Sequence, residues 1–470
     1  MRSLFEGGMG ISPGVVSGRL RYISELSKAK NIRNGEIILT KEIQPGWGSV
    51  LKKPAGILVE YGGPTSHIGV LSRDMGIACI VGIGQAGLSN LKKFDGKIIT
   101  IDAVRSMVFE GRPDIEEIEE RIDIEELKSI RTRTGLAKVG LMFSYPLPEK
   151  ELAFLDDYRF FGGNLLIRTE FILLLEIGIH PLVLFWHFKR RITDKILKKK
   201  IDRIISYYGD AKTFYIEKMV QGIIENLKIF PNHSSNIRTL DIKSSEYREL
   251  IGGKLCEKNE SNPMMGFRGA FRFISPEERE ISKWQLEVIK KLKGMGYKDL
   301  KLIFPMVRDP LELVGGEKLR EKMKKAGFLN WRDYKGIFEI MEEVGLRPHK
   351  DIKVGIEIEV PSNVFRAEEF AKILDFGQIG PNDLNQFCLA CGRENLQLSR
   401  VFNLSNPTTI LAAKQAIKAF KKFNKEITIV GQNFPDEFLR MLIKEKIDCI
   451  GTTSEGYFDL VKKIAELENG

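Results

Sequence analysis

Two patterns of hydrophobic and polar positions divide the chain near residue 115. Before that point, short β-branched runs are separated by glycine and proline, which predicts a small α/β domain. These runs occupy residues 15–23, 36–40, 57–60, 77–83 and 97–102. Residues 114–128 (DIEEIEERIDIEELK) are strongly charged and carry isoleucines at helical spacing. They predict an exposed helical connector between two domains.

Beyond the connector, eight apolar runs typical of strands recur, and helical patterns separate most of them. The runs occupy residues 138–144, 164–168, 236–242, 301–307, 353–360, 376–380, 426–431 and 449–453. Eight alternating units predict a (β/α)8 barrel, and an open doubly wound sheet is the alternative. Polar residues at the carboxyl ends of the runs favour the barrel, because a barrel places its active site there. These residues are Arg168, Arg238, Asp241, Glu359, Asp383 and Gln432.

The composition narrows the class of protein. Hydrophobic residues make up 43% and charged residues 29% of the 470 residues, which excludes bulk disorder. The five cysteines are few and widely spaced, which favours a protein of the reducing cytoplasm over one built on disulfides. The net charge of +10 is spread along the chain, which favours an anionic substrate over nucleic acid as the ligand. The chain starts without the apolar segment of a signal peptide, and polar residues and a proline interrupt its most apolar stretch, 171–188. We therefore expect a cytoplasmic protein that binds neither membrane nor nucleic acid.

One histidine stands in a context suited to phosphate. The segment GGPTSHIGVLSR (62–73) follows a predicted strand and opens a predicted helix, so that Thr65 and Ser66 are candidate helix caps. His67 would then lie at a helix N-terminus, where backbone N–H groups and the helix dipole favour a phosphoryl group. A phosphoryl acceptor and a purely structural histidine are both compatible with this local pattern.

Longer motifs resemble a known family. Residues 62–82 resemble the phosphohistidine domain of phosphoenolpyruvate (PEP)-utilising enzymes, and the later motifs resemble phosphoenolpyruvate synthases. Those motifs are LIRTEF (166–171), IGIHP (177–181), RTLDIKSSEY (238–247), NPMMGFRGAFR (262–272), EVPSN (359–363) and IGPNDLNQ (379–386). The resemblance implies a small swivelling phosphohistidine domain at 1–113, a helical linker at 114–134 and a PEP- and pyruvate-binding TIM barrel at 135–470. It also implies a homodimer formed through the barrel.

Three arginines are candidates for binding the substrate. A phosphorylated enol acid carries a phosphate and a carboxylate, so its site needs several forked cations. Arg168, Arg238 and Arg268 lie at or near predicted strand ends, and surface salt bridges are the alternative explanation. The resemblance implies that all three bind PEP and stabilise the transferring phosphoryl group. It adds Asn382 as a substrate contact, and we place Gln432 in the same class.

Two carboxylates are candidates for binding a metal. Glu359 and Asp383 follow the fifth and sixth barrel runs and offer hard oxygen ligands of the kind Mg²⁺ prefers. The resemblance assigns both as magnesium ligands, while structural carboxylates on the barrel rim are the alternative. The pair Cys388-x-x-Cys391 lacks a second pair and a nearby histidine, so it is a weak signal for zinc.

The chain departs from the family in two places. Full-length relatives begin with an ATP-grasp domain, whereas this sequence begins at the phosphohistidine domain and contains no P-loop. We therefore expect the ATP domain to be missing or supplied in trans by a separate subunit. The family also places an acid/base cysteine immediately before a Gly-Gln pair, here Gly431-Gln432, and that position is Val430. Valine cannot transfer a proton.

The sequence thus predicts a phosphoenolpyruvate synthase-like phosphotransferase that uses His67, Mg²⁺ and PEP or pyruvate. A second interpretation is a catalytically impaired PEP- or pyruvate-binding pseudoenzyme or regulatory partner, which Val430 favours. A third is the related Enzyme I of sugar phosphotransfer. That family carries a carrier-binding helical insert, which is not evident between residues 40 and 55.

Overall fold

The computed structural model describes two compact units, one within residues 2–112 and one within residues 138–469. The described residues are 2–12, 14–29, 31–43, 47, 50–51, 53–62, 68–69, 72, 75–112, 138–143, 155, 161–392, 398, 402–454 and 456–469. His67 and the predicted linker at 114–134 lie outside these ranges. No helix in these ranges combines the length and the apolar character that a membrane span requires.

The first unit is built on an eight-stranded mixed sheet with the strand order β1-β8-β7-β3-β4-β5-β6-β2. Its strands are β1 Ser3–Glu6, β2 Met9–Ser12, β3 Val15–Ile23, β4 Ile37–Thr40, β5 Gly56–Val59, β6 Ala78–Val81, β7 Ile98–Asp102 and β8 Met107–Glu110. Within the described residues, the strands are accompanied by the helices α1 Leu26–Ala29 and α2 Gly84–Leu91 and by a 3₁₀ turn at Lys92–Phe94. Strands β3 to β6 run parallel, and every residue of β4, β5 and β6 is buried, as expected for strands covered on both faces. The predicted small α/β domain is confirmed.

The second unit is a closed barrel of eight parallel strands, with the order β10-β11-β12-β13-β14-β15-β16-β9. Its strands are β9 Lys138–Phe143, β10 Phe161–Arg168, β11 Ser235–Arg238, β12 Leu300–Phe304, β13 Lys353–Ile358, β14 Phe376–Ile379, β15 Glu426–Val430 and β16 Cys449–Thr452. Each strand pairs with its sequence neighbour, and β16 closes the sheet by pairing with β9. The predicted (β/α)8 barrel is confirmed, and the open sheet is excluded.

Helices connect the barrel strands. In chain order they are α3 Thr169–Ile172, α4 Pro181–Phe188, α5 Lys195–Ile205, α6 Ala211–Leu227, α7 Ser244–Glu249, α8 Gly253–Cys256, α9 Gly269–Ile274, α10 Arg279–Gly294, α11 Pro310–Val314, α12 Gly316–Lys325, α13 Ile337–Glu343, α14 Pro361–Phe365, α15 Ala367–Ile373, α16 Pro381–Cys388, α17 Pro407–Lys422, α18 Asp436–Lys444 and α19 Tyr457–Asn469. The described part of this unit also contains a π-helical turn, Leu173–Ile177, and short 3₁₀ turns at Ser206–Tyr208, Pro263–Met265 and Trp331–Asp333.

Local sequence explains where several of these helices begin. Asp194, Asp210 and Asn406 each accept a hydrogen bond from a backbone N–H in the first turn that follows, as N-cap residues do. Proline occupies the first turn of α4, α11, α14, α16 and α17, where its missing N–H leaves no helical bond unmade.

An ion pair marks the N-terminal end of the barrel. The Lys301 ammonium, near the start of β12, lies 2.8 and 2.7 Å from the two carboxylate oxygens of Glu426, the first residue of β15. Lys301 is buried. This pair belongs to the end of the barrel that usually contributes stability, and the predicted site residues lie at the other end.

Candidate functional site

Charged side chains meet at the C-terminal end of the barrel. Arg168 and Arg238 are the last residues of β10 and β11, and Glu359 directly follows β13. Arg268 precedes α9 and Asp383 lies in the first turn of α16. Because the strands are parallel, their carboxyl ends share one rim, and five of the predicted site residues therefore lie on it.

Arg238 is enclosed by carboxylates. Its Nη1 donates a hydrogen bond of 2.7 Å to Glu357 Oε2, and its Nη2 donates to Glu170 Oε1. Asp241 Oδ2 lies 3.6 Å from Nη1. Burial alone would lower the pKa of Arg238, but these carboxylates raise it well above its usual value, so the guanidinium stays charged. Its Nε is buried and has no hydrogen-bond partner among the described residues, which leaves one donor available to a ligand.

Arg268 makes a forked contact with Asp241. Its Nε and Nη2 donate to Asp241 Oδ1 and Oδ2 at 2.9 and 2.7 Å, and Asp383 Oδ2 lies 3.8 Å from Nη2. Both members of the forked pair are buried. Burial raises the pKa of Asp241, but Arg268 and Arg238 outweigh it and hold that pKa below its usual value. Asp241 is therefore an ionised carboxylate shared by two guanidiniums.

The backbone around Arg268 leaves room only for glycine at the next position. Gly269 has a φ of +59°, and an added Cβ would lie 2.7 Å from the carbonyl oxygen of Pro305. The N–H of Ala270 donates to that same carbonyl at 2.9 Å. This close approach fixes the start of α9, and with it the position of Arg268.

Arg308 links the Arg268 loop to the loop after β12. Its Nη1 donates to the carbonyl of Met306 at 3.1 Å, and its Nη2 donates to the carbonyl of Gly266 at 3.2 Å. The N–H of Met306 in turn donates to Glu359 Oε1, and Met306 has the left-handed φ of 52°, which is strained for a residue with a side chain. The loop after β12 therefore forms hydrogen bonds both with the loop that carries Arg268, a phosphate-binding candidate, and with Glu359, a metal-binding candidate.

Three buried carboxylates lie close enough together to hold a metal ion. Asp241, Glu357 and Glu359 each offer an oxygen within 4.8 Å of the others. Burial, followed by the charges of Glu357, Asp241 and Asp383, raises the pKa of Glu359 well above its usual value. Burial also raises the pKa of Glu357, although Arg238 opposes the rise. At both carboxyls, burial together with the neighbouring carboxylates outweighs the nearby guanidiniums.

This cluster fits Mg²⁺. Its donors are hard carboxylate oxygens, and two further carboxylates, those of Glu170 and Asp383, lie beside Arg238 and Arg268 on the same rim. The predicted ligand Glu359 belongs to the group of three, whereas the other predicted ligand, Asp383, lies beside Arg268. The residues that would hold the ion therefore extend beyond the predicted pair to Asp241 and Glu357.

The remaining predicted residues lie on the same rim with fewer described contacts. The Arg168 guanidinium is half-buried, with Nη2 3.4 Å from the sulfur of Met142. Asn382 is half-buried in the first turn of α16, and Gln432 is half-buried just after β15. Val430, the last residue of β15, is buried in an apolar cluster that includes Met142 and Leu165. His67 lies outside the described residues.

Sequence reasoning assigned no role to Glu170, Glu357 or Arg308. Glu357 carried a usable signal, because it alternates with Glu359 in the strand sequence IEIE, and residues two apart share one face of a strand. Glu170 lies in α3, directly after the strand end at Arg168. Arg308 gave no local signal, because its role depends on contacts with residues about 40 positions away.

Two family models match this chain, one within each of its two units. A family model described as "PEP-utilising enzyme, PEP-binding domain" matches residues 202–462, and one described as "PEP-utilising enzyme, mobile domain" matches residues 32–106. The phosphoenolpyruvate synthase of Helicobacter pylori is 29% identical over 467 residues, covering 98% of this chain and 53% of that protein. The phosphoenolpyruvate synthases of Aquifex aeolicus (28% identical, covering 98% and 56%) and Synechocystis sp. (30%, covering 98% and 53%) align similarly. The chain thus spans about half the length of the curated relatives it matches.

Proposed function

The chain belongs to the family of PEP-utilising enzymes, and from this premise we propose that it is a phosphoenolpyruvate synthase-like phosphotransferase. It moves a phosphoryl group between a phosphohistidine, His67, and pyruvate or PEP bound at the C-terminal end of the barrel. The observation that carries this proposal is the pair Arg238, almost enclosed, and Arg268, buried, on the rim of parallel strands. Two forked guanidiniums held charged on one rim suit a phosphorylated carboxylic acid.

The arginines bind and stabilise the transferring group. Arg238 keeps its charge and presents a buried Nε with no other partner in the described part of the chain, so a ligand oxygen would satisfy that donor. Arg268 and Arg168 complete the cationic set, and Asn382 and Gln432 contact the organic part of the substrate. Buried, fixed donors need little rearrangement as charge develops on the phosphoryl group, and that is how they lower its barrier.

The carboxylates hold the metal. Glu359 and Asp383, together with Asp241 and Glu357, would bind Mg²⁺ at the same rim. When bound, the ion supplies positive charge to the phosphate and enolate oxygens. Met306 fixes Glu359 by donating its N–H to Oε1, so the metal-binding carboxylate is oriented before any ligand arrives.

Proton transfer to the enol carbon lacks its usual catalyst. Val430 occupies the end of β15, where the family resemblance places the acid/base cysteine, and its side chain packs among apolar residues. Enolpyruvate would therefore be protonated by water, so phosphoryl transfer proceeds while pyruvate forms slowly. We propose that an ATP-grasp domain charges His67 from ATP and that the barrel forms a homodimer contact.

Labelled PEP tests this function directly. The full chain is incubated with PEP labelled in its phosphate and with Mg²⁺, and acid-labile label is expected on His67. His67→Ala should carry no label, and Arg268→Ala should carry much less than the unmodified chain. PEP that binds without any label on His67 would contradict the transferase.

That contrary result would favour the second candidate, a PEP- or pyruvate-binding regulatory partner. Val430 is the observation in its favour, because the binding residues are present and the proton donor is not. Calorimetric binding of PEP with neither label on His67 nor pyruvate release would identify this case.

A further inference from the structure

Arg238 is already engaged by carboxylates of the protein itself. Glu357, which is buried, accepts a hydrogen bond of 2.7 Å from one terminal nitrogen of the guanidinium. Glu170 accepts a hydrogen bond from the other terminal nitrogen. Only Nε is left without a hydrogen-bond partner among the described residues. An incoming phosphate would therefore find the forked face of Arg238 occupied by carboxylates that carry the same sign of charge as the phosphate.

The charge around this guanidinium works against an anion. Glu170 and Glu357 each accept a hydrogen bond from Arg238, and Asp241, whose Oδ2 lies 3.6 Å from Arg238 Nη1, is shared with Arg268. Glu359 and Asp383 add further negative charge to the same rim. Charges of one sign repel strongly where little water screens them, so a bare phosphate ester binds poorly until negative charge is removed.

Glu357 also belongs to the candidate metal site. Its carboxylate belongs to the group with Asp241 and Glu359, whose oxygens lie within 4.8 Å of one another. Glu170 also pairs with Arg238 but is not a member of this group. Within the described residues, Glu357 thus joins the guanidinium to the candidate metal site, and a divalent cation there would compete with Arg238 for its carboxylate.

We propose that Glu357 couples cation binding to anion binding. Without a divalent cation, Glu357 occupies Arg238 and opposes the phosphate; with the cation bound, Glu357 is drawn to the metal and Arg238 is released to the ligand. This inference rests on the proposed function, since it assumes that Arg238 receives the phosphate. Coupling between two ligands is reciprocal, so PEP must raise the affinity for Mg²⁺ by the factor by which Mg²⁺ raises the affinity for PEP.

Calorimetry on the full chain tests the coupling. PEP is titrated into the unmodified chain and into Glu357→Gln, first in EDTA and then with saturating Mg²⁺, and Mg²⁺ is titrated alone. In EDTA we expect Glu357→Gln to bind PEP about tenfold tighter or more than the unmodified chain, since typical couplings between two ligands are about 5- to 150-fold. Adding Mg²⁺ should raise the PEP affinity of Glu357→Gln by a smaller factor than it raises that of the unmodified chain. Mg²⁺ alone should bind the variant more weakly. A residue with a purely structural role would not increase affinity when it is removed.

Two further variants make the result decisive. Glu426→Gln also removes a carboxylate from an ion pair, but at the opposite end of the barrel, and it should leave PEP binding in EDTA unchanged. Glu357→Met removes the charge with an unbranched side chain of similar length, and it should repeat the gain if the glutamine variant unfolds. Folded Glu357 variants that bind PEP in EDTA no tighter than the unmodified chain would overturn the coupling while leaving the proposed function intact. An unmodified chain that binds no PEP even with Mg²⁺ would overturn both.

Discussion

Arg268 makes a forked ion pair and precedes Gly269, whose φ of +59° suits glycine. Its contact with Asp241 is bidentate and buried, so Arg268→Ala would remove a ligand-binding cation and leave Asp241 with less compensation. We expect PEP affinity in the presence of Mg²⁺ to fall by roughly 3 kcal/mol, as measured by calorimetry. Asp383→Ala should also weaken binding, because its carboxylate lies 3.8 Å from Arg268 and is itself a candidate metal ligand.

A matched variant separates charge from geometry at this position. Arg268→Lys keeps the charge and loses the fork, so its PEP affinity should fall between those of the unmodified chain and Arg268→Ala. Unchanged affinity in both the alanine variants, with the protein still folded, would remove the rim of the barrel from the binding site.

Val430 allows phosphoryl transfer and proton transfer to be studied separately. Its side chain is buried at the end of β15, and a cysteine there would be slightly smaller and would fit the same space. Val430→Cys should raise pyruvate formation from PEP, by up to about 10²- to 10⁴-fold if general acid catalysis is fully restored. Val430→Ala, which makes space without a thiol, is the control and should give no increase. An inactive cysteine variant that still binds PEP would show that more than the proton donor is missing.

Much of the site could be predicted at the scale of single residues, because strand ends in a parallel barrel converge. Arg168, Arg238 and Glu359 each end or follow a strand, so position along the chain was enough to group them. Arg308 is different, since it acts through carbonyl groups of Met306 and Gly266, and no local pattern encodes contacts between separate loops.

At the scale of elements, apolar runs predicted the strands better than they predicted the helices. The pattern at 361–374 favours one helix, but the structure has α14 and α15, separated at Arg366. The reason is tertiary: the Arg366 guanidinium pairs with Asp309, 3.0 Å away, and with Glu369. The run at 236–242 likewise forms only the short strand β11, which ends at Arg238. Asp241 lies beyond the strand and accepts a hydrogen bond from Arg268.

Helix α11 carries a buried carboxyl whose titration affects stability. Glu312 Oε2 accepts the N–H of Arg308 at 2.8 Å, and burial raises the pKa of Glu312 to about 7. A raised carboxyl pKa means that the folded protein holds the proton more tightly than the unfolded chain. The free energy of unfolding therefore falls as pH rises from the normal titration range of a glutamate through about 7, and the loss is complete above that.

Removing this carboxyl should flatten that part of the pH profile. Glu312→Gln keeps an oxygen that can accept the Arg308 N–H, so it should be more stable than the unmodified chain at pH 8, by up to about 3 kcal/mol, and little different near pH 4. Denaturant unfolding between pH 4 and pH 8 measures this difference. Glu317→Gln, on the exposed surface of α12, is the control and should follow the unmodified chain. Parallel profiles for Glu312→Gln and the unmodified chain would show that the pKa of Glu312 is the same in the folded and unfolded states.

At the scale of the whole molecule, the two units differ in what the sequence could establish about them. The barrel followed from eight alternating runs, because that count closes a parallel sheet. The first unit mixes parallel and antiparallel pairs, and its strand order brings β2 beside β6 and β3 beside β7. Such long-range pairings depend on the whole fold, so short apolar runs predicted the strands but not their arrangement.

Each unit has a core of its own, and this has a consequence for unfolding. Buried residues such as Leu20, Leu58 and Ile99 form the core of the first unit, while the barrel encloses Leu165, Ile303 and Phe376. We expect calorimetry of the full chain to show two transitions, the one with the larger enthalpy belonging to the longer barrel unit. All the described candidate ligands of PEP and Mg²⁺ lie in the barrel, so the two together should raise only the midpoint of that transition.

The size of this shift follows from mass action. A ligand at about 100 times its dissociation constant adds about 2.7 kcal/mol to the stability of the unit that binds it. Arg268→Ala should lose most of the shift at the same ligand concentration. His67→Ala should keep it, because in the proposed reaction His67 receives the phosphoryl group and does not bind PEP in the barrel. A single transition would show that the units unfold together. A shift confined to the first unit would place the binding site outside the barrel, because a ligand stabilises only the part of the molecule that binds it.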